Sequence, residues 1–261
     1  MAPNIDTNAS VPASSGSQNT ITEQNPWSVD SVISKLAHKP QAKSSSPLPF
    51  FHMLELLKTT KREGWRRFEI QHGESISDHM YRMSIMTMLA PQSLTKRLDV
   101  SRCTRMALVH DMAEALVGDI TPVDGIPKPE KSRRESETMD YFCITLLGNV
   151  QGGSAGQEIR ALWQEYEDDK TEEAHFVHDI DKMELLLQMI EYERTHNNGT
   201  GNSINLGEFI YVAERIKLPE VQEWAEEIKH ERLEFWAALG HNPRDHISKT
   251  LESQQDEYYG N

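Results

Sequence analysis

The run Arg105-Met106-Ala107-Leu108-Val109-His110-Asp111-Met112-Ala113-Glu114-Ala115-Leu116-Val117-Gly118-Asp119 sets an imidazole beside a carboxylate, with a second carboxylate shortly after the pair. Both members of the pair can ligate a divalent cation. The spacing predicts a helix on which Glu114 stands one turn beyond His110, on the same face. The neighbouring residues are apolar enough to bury that helix. Three ionisable groups on a buried helix are costly unless they bind something. A His-Asp dipeptide alone is weak, since two fairly common residues often adjoin by chance. Its company strengthens it: Ser77-Asp78-His79 upstream, Gly118-Asp119 just after, and Asp181 further along.

His79, His110, Asp111 and Asp181 would reach one place from separate helices and form a mixed nitrogen–oxygen set. Such a set suits a divalent ion such as Mn, Co, Fe, Ni or Zn, with positions left for water and a phosphate oxygen. No cysteine lies near these residues, which argues against a purely structural zinc centre. Plainer readings compete. A lone histidine such as His79 is more often a hydrogen-bonded core residue, and a lone Asp181 more often a surface charge. His178-Asp179 is a second such dipeptide, but Lys182 holds the place that Glu114 holds after the first. His178 and Asp179 are therefore expected not to ligate.

Taken in order, Ser77-Asp78-His79-Met80-Tyr81-Arg82-Met83, Leu108-Val109-His110-Asp111-Met112-Ala113-Glu114, Val117-Gly118-Asp119-Ile120 and Ile180-Asp181 resemble the H…HD…D signature of the HD hydrolase superfamily. The resemblance is closest to the HD domain-containing protein 2 family, eukaryotic relatives of bacterial 5′-deoxynucleotidase. It runs from about Leu48 to Leu239, and Ile126-Pro127-Lys128 and Glu165-Tyr166-Glu167 fit it as well. One position departs: His178 stands where that family leads one to expect a lysine.

The resemblance implies that His79, His110, Asp111 and Asp181 ligate the catalytic cation. It implies that Glu114 and Asp119 act around the phosphate and the attacking water. In this branch they also look like ligands of a second cation, helped by the Ile120 carbonyl. Mn, Co or Mg is the expected cofactor, with one or two ions per chain, and one-ion chemistry with Glu114 as general acid/base stays open. Trp65 lies where bacterial relatives carry a tryptophan near the sugar. An indole there would crowd a ribose 2′-hydroxyl and favour deoxyribose, although a core aromatic is an equally good reading. Gly64 replaces the arginine that precedes that tryptophan in the bacterial enzyme, so Arg62 is the candidate phosphate contact and Arg66 the next.

The implied activity is hydrolysis of deoxyribonucleoside 5′-monophosphates to nucleoside and phosphate, with loose base recognition. Two alternatives stand beside it. One is another HD phosphohydrolase, a cyclic-nucleotide phosphodiesterase or nucleoside triphosphohydrolase. The other is a non-catalytic nucleotide-sensing scaffold, which an intact ligand set disfavours.

The chain that must position these residues has 261 residues, enough for one sizeable core, and a net charge of −14. That charge argues against binding nucleic-acid polymers or anionic membranes. Two cysteines, Cys103 and Cys143, imply no disulfide framework. With no apolar span and no secretory leader, an intracellular chain is expected, cytoplasmic or nuclear.

Helical periods dominate from Leu48 onward and no strand pattern stands out, so the fold class is all-α, a single HD-domain helical bundle over 48–239. Residues 1–47 read as a disordered, low-complexity segment with a short helix at Val29, Val32, Ile33 and Leu36, followed by a linker. Residues 240–261 read as a tail. Ser75 or Ser77 is expected to cap the helix carrying His79. Val221, Trp224, Ile228 and Phe235 form an apolar stripe on the last helix. That stripe serves either the monomer core or a homodimer.

Overall fold

The structure is a computed structural model, and it describes residues 26–197 and 204–243. The expected disorder of the first 25 residues, and most of the tail, lie outside the described residues. Among those described there is no strand, only an isolated antiparallel bridge between Lys61 and Ser75.

The long helices are α2 (Leu48–Thr59), α4 (Ile76–Thr87), α6 (Val100–Ala107), α8 (Lys128–Asp140), α9 (Ser154–Asp168), α10 (Glu172–His196) and α11 (Pro219–Ala238). Short helices α1 (Val29–Ile33), α3 (Glu63–Arg66), α5 (Gln92–Thr95) and α7 (Glu114–Val117) fill the connections. The helix start of α4 is set by Ser75. Its hydroxyl accepts the Asp78 N–H, and the Asp78 carboxylate accepts the Ser75 N–H in return. Asp78 is thereby committed to the cap, although it adjoins His79. Beyond Asp140 the chain continues as a π-wound stretch, Tyr141–Leu146.

Helix α10 is the central pillar and packs against α4, α6, α9 and α11. It buries apolar residues on several sides, among them Phe176, Ile180, Met183, Leu186 and Ile190. Each acid it buries has work to do. Asp179 accepts the backbone N–H groups of Lys217 (3.0 Å) and Leu218 (2.7 Å) where the chain enters α11.

The apolar interior falls into two clusters. One gathers Trp65, Met83, Met106, Ile180, Met189 and Phe209; the other gathers Phe50, Ile76, Met80, Met112, Phe142 and Trp163. Helix α4 contributes Met83 to the first and Ile76 and Met80 to the second. The segment after α6 is shared likewise, with Ala107 in the first and Val109 and Met112 in the second. His79 and His110 thus stand at the seam between two cores.

One expectation changes here. The helix meant to carry His110 and Glu114 together ends at Ala107. The next residues wind as tight turns, with Val109 N–H on Met106, Met112 N–H on Val109 and Glu114 N–H on Asp111. The cause is local: the His110 ring takes the Ala107 carbonyl that an α-helix would offer to Asp111. Helix α7 restarts at Glu114 and stops at Gly118, whose φ of +79° is readily adopted only by glycine and swings Asp119 back toward the site. The apolar stripe of α11 is also placed. Of its four residues, Val221 and Ile228 are buried within the monomer, where α11 packs against α10, while Trp224 and Phe235 are half-buried.

Candidate metal centre

Four side chains from three parts of the chain converge. His79 Nε2 lies 3.2 Å from Asp181 Oδ1 and 3.8 Å from Asp111 Oδ2, and His110 Nε2 lies 3.2 Å from Asp111 Oδ2. Donor atoms of His79, His110 and Asp111 all fall within 4.8 Å of one another. Both histidines are buried.

Their tautomers follow from what their other nitrogens touch. His110 Nδ1–H donates to the Ala107 carbonyl at 3.0 Å, and His79 Nδ1–H donates to Glu184 Oε2 at 2.6 Å. Both acceptors require a proton on Nδ1, which aims the Nε2 lone pairs into the site. Glu184 is fully buried and is itself held by Arg82, whose Nε donates to Oε1 at 2.8 Å. Tyr166 supports the opposite wall. Its hydroxyl donates to Asp181 Oδ2 at 3.3 Å, its ring lies 4.9 Å from that of His110, and His178 stacks on it at 3.8 Å.

Three buried polar atoms here have no hydrogen-bond partner: His79 Nε2, His110 Nε2 and Glu114 Oε2. Orphaned buried groups are rare because each forfeits its hydration. Two imidazole lone pairs set within 4.8 Å of each other and of an Asp111 carboxylate oxygen fit a divalent cation.

The electrostatics point the same way. Burial and the Arg62 charge favour a neutral His79, but Glu184 and Asp181 outweigh them and raise it to about 10. Burial would lift Asp111, yet His110, Arg62 and His79 hold it well below the usual carboxylate range. Burial is likewise overridden at Asp181, chiefly by His79. Glu114 goes the other way: burial, Asp111 and Asp119 push it well up. A pocket that keeps Asp111 and Asp181 charged while drawing a proton onto His79 is one where a cation can take that proton's place.

The remaining sequence candidates border this cluster. Arg62 reaches Asp111 Oδ2 at 3.2 Å and Asp181 Oδ1 at 4.0 Å. Asp119 Oδ2 accepts the Glu63 backbone N–H at 2.7 Å. Ile120 is buried beside it in the chain. Arg66 is exposed and pairs with Glu63. Trp65 is buried, 2% exposed; its Nε1–H donates to Glu74 Oε1 at 2.8 Å, and its ring packs on Tyr192 and Phe209. Arg62 and Trp65 nevertheless line one cavity of about 310 Å³ with Lys61, Arg66, Gln71 and Gly73.

Sequence reasoning passed over Glu184, Glu74, Tyr166 and Lys131 as site groups. Lys131 Nζ lies 4.0 Å from Glu114 Oε1 and 3.5 Å from Glu135 Oε1. One signal was available: Glu184 is an acid one helical turn from Asp181 inside the apolar run of α10.

The HD domain family model matches residues 54–224. The 5′-deoxynucleotidase hdd1 of Schizosaccharomyces pombe is 43% identical over 76% of this chain and 96% of its own length. The 5′-deoxynucleotidase YGK1 of Saccharomyces cerevisiae is 40% identical over 84% and 99%. The human 5′-deoxynucleotidase HDDC2 is 40% identical over 76% and 92%. Among solved structures, HD domain-containing protein YGK1(YGL101W) superposes with a TM-score of 0.55 at 34% identity, covering 79% of this chain and 93% of that one. No described helix is long and apolar enough to cross a membrane. With the signature residues gathered at one seam and relatives matched over most of its length, the chain belongs to the HD domain family, and within it to the HD domain-containing protein 2 family of 5′-deoxynucleotidases.

Proposed function

We propose that this chain is a metal-dependent phosphomonoesterase that hydrolyses deoxyribonucleoside 5′-monophosphates to deoxyribonucleosides and phosphate. The observation that carries the reading is the convergence of unpartnered His79 Nε2 and His110 Nε2 beside Asp111 and Asp181. His79, His110, Asp111 and Asp181 would hold the catalytic cation. Glu114 and Asp119, with the Ile120 carbonyl, would hold a second. Mn, Co or Mg is the proposed ion. Such an ion, when bound, lowers the pKa of its water and offsets charge on the phosphate.

The protein's own groups do the rest. Glu184 and the Ala107 carbonyl fix the two imidazoles, so no reorganisation is needed as charge develops. Arg62, set among the acids, is the group to orient the phosphate oxygens. Glu114, with its raised affinity for a proton, is the group to exchange one with water or with the leaving 5′-oxygen. Trp65, lining the cavity that Arg62 shares, is the group to meet the sugar and disfavour a 2′-hydroxyl. A homodimer is part of the proposal, with the α11 stripe, through its half-buried Trp224 and Phe235, as the candidate face.

The test is phosphate release from a panel of deoxy- and ribonucleoside monophosphates, triphosphates and cyclic nucleotides, after chelation and reloading with single metals. Deoxynucleoside monophosphates should be hydrolysed, and only with metal. Release that survives chelation would overturn the metal mechanism; preference for cyclic or triphosphate substrates would overturn the substrate class.

A further inference from the structure

The segment between α2 and α4 carries both Arg62 and Trp65, and one buried residue ties it down at three points. That residue is Glu74. Its carbonyl accepts the Arg62 N–H at 3.2 Å. Its own N–H donates to the Tyr192 hydroxyl at 2.7 Å. Its carboxylate accepts the Trp65 Nε1–H at 2.8 Å. The same carboxylate lies within 4.8 Å of donor atoms of His79 and Glu184, the metal-facing histidine and the acid that orients it.

From this we infer that Glu74 is a positioning residue for sugar selection, holding the Trp65 indole in register with the wall that carries His79. The inference rests on the reading of Trp65 as the sugar neighbour. Packing against Tyr192 and Phe209 restricts the plane of the indole, with ring centroids 5.2 and 4.8 Å away. Those contacts are apolar and do not distinguish the N–H edge from the other. The hydrogen bond to Glu74 does, so it decides which edge turns inward and which is left toward the cavity. Without the acceptor, a buried indole N–H is orphaned and the ring is free to adopt the alternative orientation. Selectivity built on van der Waals contact is sensitive to displacements of that kind.

The experiment compares Glu74→Met and Glu74→Gln with wild type and with Trp65→Ala, reading kcat and KM for dAMP and AMP together with bound metal per chain. Methionine keeps the volume and removes the acceptor. Glutamine keeps an oxygen for Trp65 and can turn its amide N–H toward Glu184. The ratio of kcat/KM for dAMP over AMP should fall about fivefold or more in Glu74→Met, through a lower KM for AMP, with metal stoichiometry unchanged. It should stay within about twofold of wild type in Glu74→Gln. In a Trp65→Ala background, Glu74→Met should shift the ratio no further.

A ratio that collapses in Trp65→Ala but is untouched in Glu74→Met overturns the role of Glu74 and leaves the sugar reading standing. A ratio indifferent to Trp65→Ala overturns that reading, and the Glu74 inference with it. If Glu74→Met does not fold, Glu74→Gln decides: a fivefold fall in the ratio with metal retained would overturn the acceptor role.

Discussion

Two of the places where helix α10 buries ionic groups are built differently. Toward its C-terminal end, Glu193 is satisfied on both oxygens. Oε1 accepts the Leu206 N–H at 2.7 Å and an Arg232 N–H at 3.0 Å; Oε2 accepts Arg232 Nε–H at 2.8 Å and Trp236 Nε1–H at 2.9 Å. About three turns further back, Asp181 and Glu184 face the histidines, and there His79 Nε2, His110 Nε2 and Glu114 Oε2 remain unpartnered. The first cluster closes on itself and locks α11 and the 204–206 segment to α10. The second is incomplete as a set of protein groups and complete only with a cation. Burial of charge is common to both; satisfaction within the chain separates structure from function.

The largest expected effect tests the incomplete cluster. His110→Ala or Asp111→Ala removes a group facing the cation and should abolish metal-dependent phosphate release, while circular dichroism stays that of the folded chain. Near-wild-type turnover in either purified variant would end the metal assignment. Glu114→Ala should act differently: the first cation stays bound while turnover falls about 10²–10⁴-fold, the usual contribution of a general acid/base. Loss of stoichiometric binding of that first metal would place Glu114 among its own ligands.

The closed cluster should answer in stability rather than chemistry. Glu193→Ala removes the buried carboxylate to which Arg232, Trp236 and the Leu206 N–H donate, and should cost about 3–5 kcal/mol of unfolding free energy. Turnover per folded molecule should be kept. Chemical denaturation beside an active-site titration separates the two, and a variant as stable as wild type would show that the pairing is not what holds α11.

Much of the site was legible because its groups are unusual where they stand. A histidine and acids embedded in apolar helical periods are anomalies in sequence, and His79, His110, Asp111 and Asp181 all fall at one seam in the structure. What was not legible concerns partners across the fold. Glu184 looks like any acid on a long helix until His79 is placed against it. The break after Ala107 was hidden because helical spacing ignores a side chain that captures a backbone carbonyl. The α11 stripe illustrates the same limit, since an apolar face announces burial without naming the surface that covers it.

A smaller effect concerns the rim. Burial pushes Glu135 up to about 7 from the ordinary 4.5, with Lys131 opposing and Glu167 adding to it. The folded chain therefore favours the neutral acid. This contribution to stability is fully present below pH 4.5 and is lost as the pH rises through 7. The loss is on the order of 3 kcal/mol, from a shift of roughly two and a half pKa units. Glu135→Gln mimics the neutral form, so in chelator its stability advantage over wild type should grow between pH 4.5 and 7 and then level off. An advantage that is flat with pH would mean that Glu135 takes up its proton alike in the folded and unfolded chain.

Tyr166 should show the smallest effect and the sharpest contrast with Glu193. Its hydroxyl makes one long hydrogen bond to Asp181, whose charge is held chiefly by His79. Tyr166→Phe removes that bond and keeps the ring between His110 and His178. Asp181 would then rely on His79, Arg62 and the cation, so the loss should be about 0.5–1.5 kcal/mol, roughly two- to tenfold in metal affinity. Unfolding of the metal-free chain should hardly change, because the carboxylate keeps its other contacts. Tyr166→Leu removes the ring as well and should cost both affinity and stability, since the imidazole of His110 loses the surface it leans on. Competition with a chelator of known affinity measures the first effect and denaturation the second. A hundredfold fall in affinity for Tyr166→Phe would place the hydroxyl in direct contact with the ion's environment, and the supporting role assigned to Tyr166 would then be wrong.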